Sequence, residues 1–179
     1  MANLQFLITG GGTGGHLFPA MAIGEELYSR TGADIHYVGS KFGIESKKLP
    51  ERKLMHTLLP IRGLQRGISW SSFGKNLGLP GQLIWSKMRT TTLVKKLQPN
   101  AVIGTGGYAS ALPLYIARKQ NIPYFIQEQN SFPGMTTKYF AENAEMVFTA
   151  FSEVENYIKK KTSFQPETRF EKILPVGIA

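Results

Sequence analysis

The sequence contains no cysteine, which excludes disulfide bonds, thiolate metal ligands and cysteine nucleophiles. Long apolar runs are also missing, since no stretch reaches the ~20 residues that a membrane-spanning helix requires. The N-terminus, MANLQFLITGG, has neither a basic region nor a small-residue cleavage site, so no signal peptide is expected. Together these absences predict a cytoplasmic protein.

Acidic residues are absent from the middle of the chain. No Asp or Glu lies between Glu51 and Glu128, whereas Lys and Arg recur throughout that segment. The formal net charge of +9 is therefore concentrated there. A field of one sign attracts polyanions, which include nucleic acid, anionic lipid headgroups and phosphorylated substrates, and charge alone does not choose among them.

Short β-branched or aromatic runs alternate with helical stretches along the 179 residues. This alternation predicts one α/β domain, residues 1–179, with a Rossmann-like, doubly wound parallel sheet. Ligands of such sheets bind beyond the carboxyl ends of the strands, where the strand order reverses. The predicted strands are 4–9, 34–39, 54–60, 101–104, 123–127, 146–149 and 173–176, and the predicted helices are 17–30, 44–50, 82–97, 109–120, 135–143 and 152–160.

Glycines crowd the loop after the first strand, in FLITGGGTGGHLFPAMAIGEEL. Gly10, Gly12 and Gly15 match the G-x-G-x-x-G pattern of dinucleotide-binding proteins, but the second strand ends in GSK, where that pattern normally has an acidic residue. An NAD-type oxidoreductase and a tight turn without a ligand are both alternatives. Because glycines at a helix N-terminus expose N–H groups and the positive end of the dipole, a phosphate site is the favoured interpretation.

A second glycine loop, VIGTGGYASALP, follows the fourth strand. The first and fourth strands of a doubly wound sheet are often neighbours, so both glycine loops are expected to face one crevice. Two anion cradles there suggest a diphosphate or two phosphorylated substrates. The alternative is that Gly106 and Gly107 only let the next helix approach the sheet.

Three polar residues, Glu128, Gln129 and Asn130, end the fifth strand. Side chains at this edge suit sugar hydroxyls. The alternative is a loop whose Asn and Ser residues cap the following helix.

The loops GGTGGHLFPA, GTGGYASALP and EQNSFPGMTTKYFA, in this order and spacing, resemble the amino-terminal half of the MurG family. The resemblance runs from about residue 4 to residue 150 and includes GIESKKLP and IRGLQRG. Members transfer N-acetylglucosamine from UDP-N-acetylglucosamine to undecaprenyl-diphosphate-linked MurNAc-pentapeptide, which converts lipid I to lipid II in peptidoglycan synthesis. The resemblance implies the acceptor-binding first domain of a GT-B glycosyltransferase, without the carboxy-terminal donor-binding domain.

The resemblance also implies roles for individual residues. His16 is the candidate general base, because histidine titrates near neutral pH, and Glu128 is the rival base. No Asp-x-Asp pair occurs, and GT-B enzymes generally lack that motif, so neither a metal nor another cofactor is expected. The donor is expected to contact Thr13, Gly14, Gly15 and Asn130, and the acceptor diphosphate Gly11, Gly12, Gly106, Gly107, Tyr108 and Gln129.

Aromatic and basic residues alternate in WSSFGKNLGLPGQLIWSKMR, a mixture typical of the membrane interface. The resemblance accordingly implies a peripheral protein on the inner face of the cell membrane. The alternative is that Leu83, Trp85 and Leu93 are ordinary core positions of a surface helix. Nucleic acid is not expected, because no RNA-binding signature appears. The residues predicted to contact the membrane are Trp70, Phe73, Lys75, Leu77, Trp85, Lys87 and Arg89.

Two features depart from the family pattern. Gln127 stands where related sequences commonly have His, and the chain ends in ILPVGIA, where the family usually has a Gly-Asn-Pro turn followed by Arg. Two interpretations remain open. The chain is either half of an inverting glycosyltransferase that is inactive alone, or a stand-alone acceptor-binding subunit of a split glycosyltransferase.

Overall fold

The computed structural model describes residues 4–63 and 79–158, which form a single parallel sheet with helices on both faces. The strands are β1 Gln5–Thr9, β2 Asp34–Ser40, β3 His56–Leu59, β4 Ala101–Gly104, β5 Tyr124–Glu128 and β6 Met146–Thr149. The α-helices are α1 Gly14–Thr31, α2 Glu45–Glu51, α3 Leu79–Leu97, α4 Tyr108–Lys119 and α5 Met135–Phe140, and two 3-10 helices span Ala141–Asn143 and Ser152–Tyr157.

The strand order is β3-β2-β1-β4-β5-β6, and all neighbouring strands are parallel. The order reverses between β1 and β4, which pair directly, with Thr9 opposite Gly104. Both glycine loops therefore leave the sheet side by side at its carboxyl edge. This topology confirms the predicted doubly wound α/β fold.

Alternation of side chains along the strands builds a core on each face of the sheet. On one face Ile8 packs with Leu17 and Met21 of α1, whereas Leu7 lies on the other face, in the core that includes Leu114 of α4. Each of these side chains is almost completely buried. Burial of one such apolar side chain contributes about 1.5–3 kcal/mol, so the two cores hold the loop edge rigidly in place.

Several element boundaries differ from the sequence prediction: α3 begins at Leu79 rather than at residue 82, and the helix predicted at 135–143 is α-helical only as far as Phe140. Helix α1 begins at Gly14 rather than near residue 17, because Thr13 is extended and acts as the N-cap, so that both following glycines are helical. The predicted helix 152–160 is a 3-10 helix over Ser152–Tyr157. The predicted strand 173–176 lies outside the described residues, as do Trp70, Phe73, Lys75 and Leu77. Within the described ranges, no helix has the length and apolar character needed to cross a membrane.

Candidate active site

The two glycine loops are joined by hydrogen bonds at the carboxyl ends of β1 and β4. The Thr105 amide donates to the Thr9 carbonyl over 2.9 Å, and Thr105 Oγ1 donates to the His16 carbonyl over 2.7 Å. Ser110 Oγ lies within bonding distance of the carbonyl oxygens of Thr9 (3.0 Å) and Gly106 (2.6 Å). The two loops thus form one continuous surface, as the sequence analysis expected.

The imidazole of His16 rests on the second glycine loop. Gly106 has a φ of +99°, and a Cβ at this position would lie 2.8 Å from His16 Nδ1. Gly107 has a φ of +76°, and its Cβ would lie 3.1 Å from His16 Cδ2. Both the backbone conformation and the space therefore require glycine. The absence of side chains at Gly106 and Gly107 thus leaves room for the imidazole ring of His16.

The contacts of His16 define which ring nitrogen carries the proton. Nδ1 lies 3.0 Å from the Thr105 carbonyl oxygen, which can only accept, so we assign the proton to Nδ1. The side-chain nitrogen of Gln129, Nε2, lies 2.6 Å from Nδ1, and the buried Gln129 Oε1 has no hydrogen-bond partner among the described residues. We therefore assign the amide the opposite orientation, in which its oxygen faces the ring and accepts from the same N–H. Nε2 of His16 is then the unprotonated nitrogen, and no residue in the described ranges is hydrogen bonded to it.

Glu128, the alternative candidate for the general base, has its carboxylate hydrogen bonded to the segment that follows β5. Its carboxylate accepts hydrogen bonds from the amide of Asn130 (3.1 Å), the Asn130 side chain (2.9 Å), the amide of Gly134 (3.1 Å) and Thr137 Oγ1 (2.6 Å). The residue is only 2% exposed. This geometry argues against Glu128 as a base that meets the substrate, since the carboxylate instead orders the loop after β5. The alternative in which Asn and Ser residues cap the following helix is not what this geometry shows, because the N-cap of α5 is Gly134.

The amide of Gly12 also has a different partner from the one expected. It was expected in the diphosphate cradle, but it donates to Glu45 Oε2 over 2.9 Å. Gly11 is next to the same carboxylate, which leaves no room for a Cβ. These two glycines therefore accommodate a buried acid within the chain. No role for Glu45 was expected from the sequence, and the glycines that surround it, Gly11, Gly39 and Gly43, were the available signal.

Two helix N-termini face the crevice without a side-chain cap in the described part of the chain. Helix α1 follows Thr13 and helix α4 follows Gly107, and neither N-cap residue donates or accepts a capping side-chain bond. The first amides of an α-helix have no intrahelical acceptor, and the helix dipole adds positive potential there. The crevice thus offers two adjacent positions for anionic oxygens.

The glycosyltransferase family 28 N-terminal domain matches residues 6–149 of this sequence. The chain belongs to this family. It is 39% identical to the UDP-N-acetylglucosamine–N-acetylmuramyl-(pentapeptide) pyrophosphoryl-undecaprenol N-acetylglucosamine transferase of Chlorobium limicola over 158 residues, 88% of this chain and 43% of that protein. It is 38% identical to the Flavobacterium psychrophilum transferase of the same name over 161 residues, 89% of this chain and 43% of that protein.

Solved structures agree with this assignment. MurG of Acinetobacter baumannii superimposes with a TM-score of 0.68 and 25% identity, covering 84% of this chain and 42% of the MurG chain. The Streptomyces glycosyltransferase SsfS6 shares the fold alone, with a TM-score of 0.55 and 13% identity over 76% of this chain and 42% of that one. The chain thus spans less than half the length of these relatives. Family membership favours a glycosyltransferase over the oxidoreductase alternative.

Most of the other residues that were predicted to bind substrate lie near the same crevice. Thr13 and Gly15 are exposed at the start of α1, next to Gly14. Tyr108 is half-buried, and its ring packs against Gly12. Thr136, at the start of α5, contacts the second glycine loop, because its hydroxyl donates to the Gly107 carbonyl over 3.1 Å. Gln127 is half-buried one residue before Glu128, so its side chain points to the opposite face of the sheet.

The first half of helix α3 buries polar side chains and exposes apolar ones, whereas its second half packs Leu93, Val94 and Leu97 on the core. Ser86 and Thr90 are completely buried, one turn apart, whereas Trp85 is 46% exposed and Met88 65% exposed. Leu83 and Trp85 are therefore not core positions, although Leu93 does pack against the core. Cations flank the exposed apolar side chains: the Arg89 guanidinium lies 5.1 Å from the centroid of the Trp85 ring, and Lys87 Nζ lies 5.6 Å from that of Tyr115.

Proposed function

We propose that this family 28 domain is the acceptor-binding half of an inverting N-acetylglucosaminyltransferase. The proposed reaction moves N-acetylglucosamine from UDP-N-acetylglucosamine to the C4 hydroxyl of undecaprenyl-diphosphate-MurNAc-pentapeptide, the step from lipid I to lipid II. The names of its relatives contain both substrates. The observation that carries the proposal is the position of His16, whose ring lies where the glycine loops meet and whose Nε2 has no hydrogen-bond partner among the described residues.

His16 acts as the general base in this proposal. The acceptor C4 oxygen attacks the anomeric carbon of the donor and forms the new C–O bond, while the bond from that carbon to the UDP oxygen breaks. The bonding electron pair leaves with UDP, and His16 Nε2 takes the hydroxyl proton. The Nδ1–H bond to Thr105 stabilises the imidazolium that results. General base catalysis of this kind contributes about 10²–10⁴-fold in rate, or roughly 3–5 kcal/mol.

The N-terminus of α4 is the proposed contact of the acceptor diphosphate. It is uncapped within the described residues, and the His16 ring lies against Gly106 and Gly107 in the loop that precedes it. A negative charge at one helix N-terminus gains about 0.3–1 kcal/mol at an exposed site and up to ~2 kcal/mol in a partly buried one. Amides of the first turn of α4 therefore take the role that was expected of Gly12, with Gly106, Gly107 and Gln129 shaping the pocket.

The exposed start of α1 is the proposed contact of the donor. Thr13, Gly14 and Gly15 lie there. Asn130 is exposed in the loop after β5, where its side-chain NH₂ donates a hydrogen bond to Glu128. The second half of the transferase, which the relatives possess in addition to the matched region, is expected to hold most of the nucleotide. The domain alone is then expected to bind acceptor without catalysing transfer.

The exposed face of α3 is the proposed membrane contact. Trp85 and Met88 provide apolar surface, and Lys87 and Arg89 provide charge for anionic headgroups. Each cation at such a surface contributes about 1 kcal/mol, so charge alone gives only salt-sensitive attachment and the apolar side chains must insert. An acceptor with an undecaprenyl tail stays in the bilayer, and contact of α3 with the membrane would bring the crevice close to that acceptor.

A transfer assay with labelled UDP-N-acetylglucosamine and the undecaprenyl-linked acceptor tests the proposed function. The complete transferase is expected to form the disaccharide product, and the 179-residue chain is expected to bind acceptor vesicles without turnover. Acceptor binding that needs a separate donor-binding protein for turnover would identify a split transferase. Failure of the complete protein to transfer the sugar, together with enhanced NADH fluorescence, would contradict the proposal.

A further inference from the structure

Glu45 is a buried acid that the proposed mechanism does not use. It is the first residue of α2, and its exposed fraction is 0%. Its two oxygens accept from the Ser40 amide over 2.8 Å and from the Gly12 amide over 2.9 Å. None of the ion pairs among the described residues involves this carboxylate. Two backbone amides, at the end of β2 and in the first glycine loop, are thus its hydrogen-bonding partners.

The surroundings of Glu45 are built to admit it. Gly11, Gly39 and Gly43 all face the side chain, and a Cβ at any one of them would collide with it. Gly11 lies in the loop after β1, Gly39 lies near the end of β2, and Gly43 lies in the loop after β2. A carboxylate that accepts from backbone amides forms charge-assisted bonds, which are about twice as strong as neutral ones. Such a network fixes the backbone on both sides of the carboxylate.

The first glycine loop is consequently held from two sides. Glu45 holds the loop at Gly12, which has a φ of +89°, and Thr105 holds it through the His16 carbonyl. Gly12 is followed at once by Thr13, the N-cap of α1, and His16 lies in the first turn of that helix. The direction in which α1 starts, and therefore the position of the imidazole, depends on both attachments.

We propose that Glu45 is a positioning residue for His16, acting through the backbone of the first glycine loop. This inference rests on the proposed function for its kinetic consequence, but its structural consequence is independent of any activity. The carboxylate touches neither the imidazole nor the crevice surface at the helix starts. Its loss is therefore expected to move the base and to leave the donor contacts in the second half of the transferase unchanged.

Glu45→Gln tests the inference, with Glu51→Gln as the matched control. Glutamine keeps the shape but presents an NH₂ group to one of the two amide donors, so one of the two bonds is lost. Glu51 ends the same helix, and its exposed carboxylate forms an ion pair with Lys48. In ¹⁵N NMR spectra of the 179-residue chain, we expect Glu45→Gln to speed hydrogen exchange at Gly12 and to shift His16 from the Nδ1–H tautomer toward a mixture.

Kinetics of the complete transferase provide the second measurement. A displaced base is expected to lower kcat about tenfold or more, with the KM for UDP-N-acetylglucosamine little changed, because small misplacements of reacting groups cost large factors in rate. Glu51→Gln is expected to match the unmodified enzyme in both measurements. If Glu45→Gln does not fold, Glu45→Asp, which retains the charge but is one methylene shorter, is measured in the same way and is expected to show the same changes.

The outcomes separate this inference from the proposed function. A folded Glu45→Gln variant with unchanged His16 signals would overturn the positioning role, whether or not kcat falls. Altered His16 signals with an unchanged kcat would also overturn it. If the unmodified protein shows no transfer at all, the proposed function fails, and the His16 spectra alone then decide whether Glu45 positions the ring.

Discussion

At the scale of single residues, the glycines of this domain serve internal contacts as well as a ligand. Gly106 and Gly107 leave room for the His16 ring, and Gly11, Gly39 and Gly43 leave room for the Glu45 side chain. A glycine-rich loop is usually interpreted as a phosphate cradle, and the sequence does not reveal which side chain fills the space beneath it. Here the loops position His16, the proposed base, and the proposed anion positions lie at the adjoining helix starts.

Gly106→Ala is expected to displace the imidazole. The methyl group would lie 2.8 Å from Nδ1, and alanine is strained at a φ of +99°. Turnover of the complete transferase should fall about tenfold or more, because the base loses its alignment with the acceptor hydroxyl. Gly81→Ala is the control, since a Cβ at that position in α3 meets nothing within 4 Å. Steady-state assays in which both variants retain full turnover would refute this role of Gly106.

The residue roles could be predicted only in part. The motifs identified His16 and brought the three loops to one edge, because parallel strands end together. The motifs did not distinguish Glu128 from His16, since both follow strands at that edge. Only the coordinates show that Glu128 accepts four hydrogen bonds from its own loop, and that Glu45 occupies the space beneath Gly11. Contacts between loops distant in sequence leave no local pattern.

At the scale of elements, α3 is the unusual helix. A helix on the surface of a sheet normally buries its apolar stripe, whereas the first half of this one buries Ser86 and Thr90 and exposes Trp85 and Met88. Composition showed the mixture of aromatic and basic residues, but helical periodicity did not show which stripe faces the sheet. An exposed apolar stripe with flanking cations is the distribution expected of a helix that contacts a membrane.

Replacement of Trp85 and Met88 by Ser is expected to weaken binding to anionic vesicles. Two exposed apolar side chains would be lost, and Lys87 and Arg89 would remain, so residual binding should become more sensitive to salt. Co-sedimentation with vesicles of phosphatidylglycerol measures the change. Tyr28→Ser, which removes a 65% exposed aromatic side chain on α1, is the control and should bind normally. Equal losses in both variants would argue against a specific membrane contact on α3.

At the scale of the whole molecule, the fold could be predicted more fully than the site. Alternating strand and helix patterns define a doubly wound sheet, and the strand order places β1 beside β4. The core depends on the alternation of Leu7 and Ile8 between the two faces of the sheet. This alternation is a local pattern, so it can be predicted from the sequence. The 3-10 helix over Ser152–Tyr157 was missed because its apolar spacing also fits an α-helix.

Acid is expected to destabilise the fold through His36. Burial, followed by the neighbouring His56 and Lys96, lowers the pKa of His36 from 6.5 to about 4. Between these two values the unfolded chain binds a proton that the folded chain excludes, so the free energy of unfolding falls as pH decreases, by up to about 1.4 kcal/mol per pH unit. Urea unfolding at several pH values between 7 and 4 measures this slope.

His36→Gln is expected to reduce that slope. Glutamine can retain the bond to Thr57 Oγ1, which His36 Nε2 makes over 2.9 Å, but it does not titrate. Other groups contribute equally to both proteins, so the difference between the two slopes isolates His36. Identical slopes in the two proteins would show that His36 does not cause the acid sensitivity.

Turnover of the complete transferase with His16→Gln tests the central claim most directly. Glutamine fills much of the same space but cannot accept the hydroxyl proton at neutral pH, so kcat should fall about tenfold or more while the KM for UDP-N-acetylglucosamine changes little. His56→Gln, a half-buried histidine on β3 that bonds the Leu54 carbonyl over 2.7 Å, is the control and should retain full turnover. Unchanged kcat in His16→Gln would contradict the account and leave His16 with a structural role only.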